Sequence, residues 1–183
     1  EDNGKPLYPG LRIIAITDGP AVAYDPDGLD RDEIKRLIHK AALDAFNPEK
    51  LRGEGAFLAL SNPITQNGRQ FHHQYTVQDG KLLKVLLSQN EFMQIFQDNI
   101  VHYADIFMPG GGRPATINEN NWQRFFADGK PAFRAIVEGA NSYITPGARN
   151  LIQQNGVWIV KDASANKCGV ITSSYEILSG LIL

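Results

Sequence analysis

The sequence predicts an α/β fold of three layers, in which helices cover a sheet that is mostly parallel in its core. Two observations support this fold. Short apolar runs rich in β-branched residues alternate with helical segments, and several of these runs stop at Gly, Ala or Asn. Strands that alternate with helices form βαβ units, whose strands are parallel. The segment 46–100 departs from this alternation and predicts an antiparallel insertion.

The first predicted elements are a strand and a helix. Leu11–Thr17 is a β-rich run that ends at Asp18-Gly19, as a buried strand would. The turn cluster Tyr24–Asp30 follows it. Asp30 is suitably placed to cap a helix from Arg31 to about Ala45. The apolar face of that helix would be formed by Ile34, Leu37, Ile38 and Ala41.

The insertion is predicted to contain a hairpin and a helix. A short apolar run covers Ala56–Leu60. Phe71–Val77 and Leu82–Leu87 flank the sequence Gln78-Asp79-Gly80-Lys81, in which Asp-Gly is a hairpin signal. A helical pattern then runs from Gln89 to about Asn99.

After the insertion, strands and helices alternate again. The predicted strands are Ala104–Met108, Ala135–Glu138 and Val157–Lys161. The predicted helices run from a cap at Asn118 or Asn121 to Phe126, from Pro146 to about Asn155, and from about Val170 to the end of the chain.

Two asparagines in equivalent contexts are the main candidates for ligand contacts. Asn141 and Asn166 each follow alanine just beyond a predicted strand. Open α/β sheets bind ligands beyond the carboxyl ends of their strands, and an amide offers both donors and an acceptor. Asparagine is also a frequent turn residue, so the residues alone leave a ligand contact and a plain turn open.

Three further candidates each have a structural alternative. Asp18 ends the first strand and could accept hydrogen bonds from an adenosine ribose, which favours NAD over NADP, or it could be a turn residue before Gly19. The run Gly110–Gly112 allows a ligand to approach the backbone, or simply forms a turn. Ser173 and Ser174 near the start of the last helix could contact a carboxylate, or cap the helix.

Composition limits the possible partners. The 183 residues carry a net charge of -2 with a pI near 6.1, which argues against nucleic acid and membrane surfaces as partners. The single cysteine, Cys168, cannot form an internal disulfide, so a cytoplasmic location is expected. The four histidines show no metal-ligand spacing, and neither common glycine-rich phosphate motif occurs.

Four motifs follow one another along the chain. They are Tyr24–Asp30, Ala104–Pro114, Ile136–Asn141 with Thr145-Pro146, and Lys161–Lys167 with Gly169-Val170 and Ser173-Ser174. In this order they resemble the glutamate dehydrogenases, and in particular their large NAD-specific type. This resemblance spans about residues 11–183 apart from the insertion.

The resemblance implies that residues 1–183 form part of an NAD-binding Rossmann domain, incomplete at its N-terminal strand. The family oxidatively deaminates L-glutamate to 2-oxoglutarate and ammonia with hydride transfer to NAD, and we expect a homo-oligomeric protein. Ser173 matches a serine that helps to hold the substrate carboxylate. The cofactor contacts implied by position are Asp18, Gly19, Pro109, Gly110, Gly111, Asn141 and Asn166.

The same resemblance implies that some parts of the enzyme lie elsewhere. The family's glycine-rich pyrophosphate loop precedes the position of Leu11, and its catalytic lysine and aspartate belong to another domain. We therefore expect this chain to be part of a longer protein and, in isolation, to be inactive and to bind NAD weakly. Cys168 departs from the family pattern, which has a small residue there.

Two other functions are compatible with the sequence. One is an amino-acid dehydrogenase of similar architecture that acts on leucine, phenylalanine or valine, since the specificity residues lie mostly outside this chain. The other is a non-catalytic α/β module that regulates or assembles a larger protein, with the insertion at 46–100 as a subunit contact.

Overall fold

The computed structural model describes residues 8–38, 42–98 and 104–182. The chain divides into two compact units, Glu1–Asn99 and Ile100–Leu183. Both helices and sheets are present, so the predicted α/β class is confirmed, but the largest sheet is antiparallel.

A five-stranded antiparallel sheet forms the centre of the first unit, with the strands in sequence order. Every neighbouring pair in this sheet is antiparallel. The strands are β1 (Ala15–Asp18), β2 (Ala21–Tyr24), β3 (Phe57–Gln66), β4 (Arg69–Gln78) and β5 (Lys81–Ser88).

The predicted strand at Leu11–Thr17 was placed in the wrong kind of sheet. It corresponds to β1, which is only partly buried and pairs antiparallel with β2. Asp18 lies opposite Ala21, so Gly19-Pro20 forms a two-residue turn between the strands. The antiparallel region therefore begins at Ala15 and includes β2, a strand that the sequence did not predict.

Two tight turns set the register of β3, β4 and β5. The predicted Asp79-Gly80 turn is confirmed, with φ of 50° and 67°. Asn67-Gly68 has nearly the same geometry, with φ of 50° and 73°, and joins β3 to β4. Turns of this kind need positive φ at both central residues, which Asn, Asp and Gly tolerate best. The second turn makes β3 ten residues long, well beyond the predicted Ala56–Leu60.

Helices α1 (Arg31–Ile38) and α2 (Gln89–Asp98) complete the first unit. The predicted cap is confirmed, because the Asp30 carboxylate accepts a hydrogen bond of 2.9 Å from the Glu33 amide. Leu37 is buried as expected, whereas Ile38 is 64% exposed, contrary to the prediction. Ala41 and the rest of 39–41 lie outside the described residues, and Leu43–Ala45 forms a 3-10 turn.

The two faces of the antiparallel sheet support separate apolar clusters. On one face, α1 and the chain that follows it cover Ala21, Ala23 and Leu58 through Leu37 and Phe46. On the other face, α2 contributes a second cluster formed by Phe92 with Val22, Phe57 and Ala59. Strand residues alternate between these clusters because successive side chains of a strand point to opposite faces.

Parallel pairing occurs in the second unit. The strands are β6 (Ile106–Phe107), β7 (Phe126–Ala127), β8 (Lys130–Pro131), β9 (Ala135–Val137) and β10 (Trp158–Val160). Three of them form a sheet with the order β10-β9-β6, and both neighbouring pairs are parallel, as predicted. The other two, β7 and β8, form a hairpin that lies between β6 and β9 in the chain.

The helices of the second unit are α3 (Pro146–Gln154), α4 (Asp162–Ala165) and α5 (Cys168–Ile182). Proline begins α3, as its sequence predicts, and the structure shows that the Thr145 side chain caps it. The helix predicted to end at Phe126 is only a 3-10 turn, Trp122–Phe125. None of the residues of α5 is buried. Among the described residues, no helix has the length and apolar character needed to cross a membrane.

Glu33 gives the first unit a pH-dependent contribution to stability. Hydrogen bonds from the Arg36 side chain, at 2.8 and 2.6 Å, and from the Asn47 amide, at 2.7 Å, lower the pKa of Glu33 to about 2 from 4.5. The folded-state pKa is the lower one, so the contribution is complete above about 4.5 and disappears as the pH falls towards about 2.

We expect Glu33→Gln to lower the free energy of unfolding by about 2 kcal/mol near neutral pH, less than the full pKa shift implies because Arg36 is half exposed. Urea denaturation of both proteins over a pH series measures this loss. The difference between them should shrink as the pH falls below about 4.5. A difference that stays constant with pH would contradict the assignment, and Glu49→Gln on the exposed surface is the control.

Candidate functional site

The candidate site of the second unit lies where its three parallel strands end. Pro109, Gly110 and Gly111 follow β6, Asn141 follows β9, and Asn166 follows β10 and α4. Parallel strands present their carboxyl ends at one edge of the sheet, which is where open α/β sheets bind ligands. The predicted residues of this unit, Ser173 apart, therefore converge at one edge.

The structure brings the two predicted asparagines into direct contact. The Asn166 Nδ2 amide donates to Asn141 Oδ1 at 2.5 Å and to the Gly139 carbonyl at 3.2 Å. These bonds use both donors of Asn166 and leave its Oδ1 available. Within the described part of the chain, Asn141 Nδ2 and Asn166 Oδ1 form no further hydrogen bond. The pair thus presents one donor group and one acceptor group.

The loops after β6 and β9 approach each other closely. The Ala140 amide donates to the Pro109 carbonyl at 2.8 Å. A Cβ atom at Gly139 would lie 3.3 Å from that carbonyl oxygen, a tighter contact than side chains normally make. Glycine at 139 therefore suits the close approach of the two loops. Pro109 is buried, whereas Gly110 and Gly111 are exposed and leave their backbone accessible.

Asp162 links the β10 loop to the β9 loop, a role that the sequence did not reveal. Its Oδ2 accepts from the Ser142 amide at 2.7 Å, and its Oδ1 accepts from the Ala163 amide at 2.7 Å. These two hydrogen bonds, that from Ser142 foremost, hold the pKa of the Asp162 carboxyl below its ordinary value. Asp162 thus remains ionised and fixes Ser142, the neighbour of Asn141.

A buried ion pair lies beneath the loop that carries Asn141. The Glu138 side chain is fully buried and that of Arg149, on α3, is 9% exposed. Arg149 Nε lies 3.0 Å from Glu138 Oε2, and its Nη2 lies 2.9 Å from the same oxygen and 3.2 Å from Oε1. These contacts indicate that Glu138 fixes the loop rather than reacts. Arg149 was not predicted.

Comparison with known proteins identifies the family. The family model for glutamate/leucine/phenylalanine/valine dehydrogenases matches residues 6–182. The chain belongs to this family. The resemblance to the glutamate dehydrogenases noted in the sequence is therefore confirmed.

Three curated relatives of this dehydrogenase-family chain are named glutamate dehydrogenases. The probable NAD-specific glutamate dehydrogenase of Schizosaccharomyces pombe is 38% identical over 93% of the chain. The NAD-specific enzyme of Saccharomyces cerevisiae is 38% identical over 96%, and glutamate dehydrogenase 2 of Dictyostelium discoideum is 39% identical over 94%. The chain spans only 14%, 15% and 16% of the lengths of these relatives, respectively.

Asp18 and Gly19 of the dehydrogenase-family chain belong to the first unit. They begin the β1–β2 turn, where the Gly19 amide donates to Asp18 Oδ1 at 2.7 Å. The Asp18 side chain thus supports its own turn while remaining exposed to solvent. The contact of these two residues with an adenosine ribose stays a prediction.

Ser173 lies deeper in its helix than the sequence suggested. Helix α5 begins at Cys168, so Ser173 is its sixth residue and lies beyond the four free amides of the helix start. Its hydroxyl donates to the Gly169 carbonyl at 3.1 Å. The helix-terminus argument for an anion site at Ser173 therefore does not apply, and its contact with the substrate stays a prediction.

Proposed function

We propose that this chain is the NAD-binding part of an NAD-dependent glutamate dehydrogenase. The observation that carries the proposal is the Asn141–Asn166 pair at the carboxyl ends of parallel strands. Its free donor and free acceptor are complementary to a primary carboxamide, which is the polar group of nicotinamide. The names of the relatives, two of which are NAD-specific, support the same cofactor.

In this proposal, the residues of the chain bind and orient the cofactor. When bound, NAD accepts the hydride that leaves the substrate. Asn141 and Asn166 hold the carboxamide, and the exposed backbone at Gly110-Gly111 lines the cofactor next to Pro109. Ser173 contacts the substrate carboxylate. The whole chain then acts as part of the NAD-binding domain, and its antiparallel region begins at Ala15 rather than at residue 46.

The proposed reaction is the oxidative deamination of L-glutamate to 2-oxoglutarate and ammonia by a homo-oligomeric cytoplasmic enzyme. Support for the substrate comes from relatives named for glutamate rather than for leucine, phenylalanine or valine. The catalytic lysine and aspartate expected from the family resemblance have no counterpart in this chain. The role of the chain is therefore cofactor binding, and the 183 residues alone would not oxidise glutamate.

Asparagine substitutions in the complete gene product that contains this chain test the proposal. Asn141→Ala or Asn166→Ala should each raise the Kd for NAD about tenfold, since each removes a hydrogen bond to the carboxamide. Calorimetric titration with NAD measures the change. Asn155→Ala is the control, because Asn155 caps the end of α3 and its side chain donates to the Leu151 carbonyl of that helix. Unchanged NAD affinity in both site variants would contradict the proposal.

A further inference from the structure

The loop from Glu138 to Ile144 carries Asn141 at its centre and is closed at both ends by one buried ion pair. Glu138 Oε1 accepts from the Ile144 amide at 3.3 Å, and Arg149 Nη2 donates to the Ile144 carbonyl at 3.0 Å. We infer that Glu138 and Arg149 are positioning residues for the asparagine pair. This inference rests on the proposed function and assigns residues that hold the cofactor contacts in place.

The backbone of Ile144 explains why this loop requires side-chain partners. Ile144 forms a parallel bridge with Ile117. In this bridge the Ile117 amide donates to the Tyr143 carbonyl, and the Thr145 amide donates to the Ile117 carbonyl. The N–H and C=O of Ile144 itself take no part in the hydrogen bonds of this bridge. Ile144 is only 1% exposed, so water cannot readily satisfy these groups. Glu138 and Arg149 supply their partners.

The first end of the loop is fixed by the sheet, and its centre by Asp162. The Glu138 amide donates to the Val160 carbonyl of β10 at 3.0 Å. The Asp162 carboxylate holds the Ser142 amide at 2.7 Å. Asn141 is therefore confined between Ala140, which is bonded to Pro109, and Ser142. At Ile144 the bridge to Ile117 bonds the neighbouring Tyr143 and Thr145, and the ion pair adds the partners of Ile144 itself.

A buried ion pair by itself contributes little net free energy to the stability of a fold. Removing two charges from water costs several kcal/mol per ion, and apolar replacements of similar volume are often neutral. The contacts of this pair with the Ile144 backbone give it a different role, which is to select one conformation of the loop. Small displacements of a binding group reduce its contribution greatly, because hydrogen bonds weaken steeply with misalignment.

The test separates positioning from stability by replacing both charges at once. In the complete gene product, Glu138→Leu combined with Arg149→Met fills the space of the ion pair with apolar side chains. The double substitution removes both side-chain contacts with the Ile144 backbone. We expect the Kd for NAD, measured by calorimetry, to rise about tenfold or more. Ile152→Ala is the control, because Ile152 lies fully buried on the same helix, in the apolar cluster that also contains Ile144, but its side chain cannot hydrogen-bond to the loop.

Thermal unfolding of each variant decides between the two roles. If the ion pair positions the loop, Ile152→Ala lowers the Tm but leaves the Kd for NAD unchanged. The double variant raises the Kd for NAD even if its Tm falls no further than that of Ile152→Ala. The inference would be overturned if NAD affinity fell in proportion to the loss of Tm in both variants. It would also be overturned if the double variant bound NAD as tightly as the unsubstituted protein. Should the double variant not fold, Arg149→Lys replaces it. Lysine keeps the charge but lacks the fork that reaches both Glu138 and Ile144, so weaker NAD binding with only a modest loss of Tm is expected, and unchanged binding would overturn the inference.

Asn141→Ala distinguishes failure of this inference from failure of the proposed function. If Asn141→Ala weakens NAD binding while the ion-pair variants do not, only the positioning role is wrong. If Asn141→Ala leaves NAD binding unchanged, the proposed nicotinamide contact is wrong, and the positioning role is wrong with it.

Discussion

Arg149→Ala is expected to destabilise the second unit by about 3–5 kcal/mol, because it leaves the carboxylate of Glu138 buried without its partner. Glu138 is fully enclosed, and the other hydrogen bond to its side chain comes from the Ile144 amide at 3.3 Å. The substitution also strands the Ile144 carbonyl. A loss of this size is a large fraction of the stability of an ordinary domain.

Urea denaturation of the 183-residue chain, followed by far-UV circular dichroism, measures this loss. Arg134→Ala is the matched control in the same unit. Arg134 lies 3.6 Å from Asp105, and the two side chains are 87% and 81% exposed. An exposed pair of this kind contributes about 0–1 kcal/mol. Equal losses for the two arginine variants would show that the Glu138 pair has no special energetic role.

The meeting of Asn141 and Asn166 could be predicted because it follows from local sequence and sheet geometry. Each asparagine lies a few residues beyond an apolar run, and the runs are neighbouring parallel strands. Parallel neighbours end at the same edge, so residues that follow them converge. The only information needed beyond the local sequence was that these two strands are neighbours in the sheet.

The supporting contacts could not be predicted, since they join residues that are distant in the sequence. Asp162 lies twenty residues after Ser142, and Arg149 lies eleven residues after Glu138. A weak signal existed for Arg149. It lies next to Ala148 on the buried side of α3, which also includes Ile152, and a charged residue on an apolar helix face normally has a buried partner.

The topology of the first unit was predicted incorrectly for two physical reasons. The strand at Ala21–Tyr24 is only four residues long and merges with the turn cluster after it, so the β1–β2 hairpin had no separate signal. The Asn67-Gly68 turn did have a strong signal, and the sequence interpretation overlooked it. Including it would have joined β3, β4 and β5 into one meander.

Asp25 organises the first unit around a single buried carboxylate. It is fully buried, and its oxygens accept hydrogen bonds from three backbone amides. These are Asp27 at 2.9 Å, Arg52 at 2.8 Å and Gly53 at 3.1 Å. The carboxylate thus joins the turn after β2 to the segment before β3. A Cβ atom at Gly53 would lie 2.7 Å from Asp25 Oδ1, so only glycine fits beside it.

Asp25→Ala should therefore lower the free energy of unfolding by about 4.5 kcal/mol or more, since a hydrogen bond to a charged group contributes about 1.5–3 kcal/mol and three are lost. Asp27→Ala is the control, because Asp27 is exposed two residues away in the same turn and should change stability by less than about 0.5 kcal/mol. Urea denaturation measures both. Hydrogen exchange at the amides of Arg52 and Gly53 gives a local readout, since these amides lose their acceptor only in Asp25→Ala. If their protection survived the substitution, another group would have to accept these bonds, and the carboxylate would not be the link between the two segments.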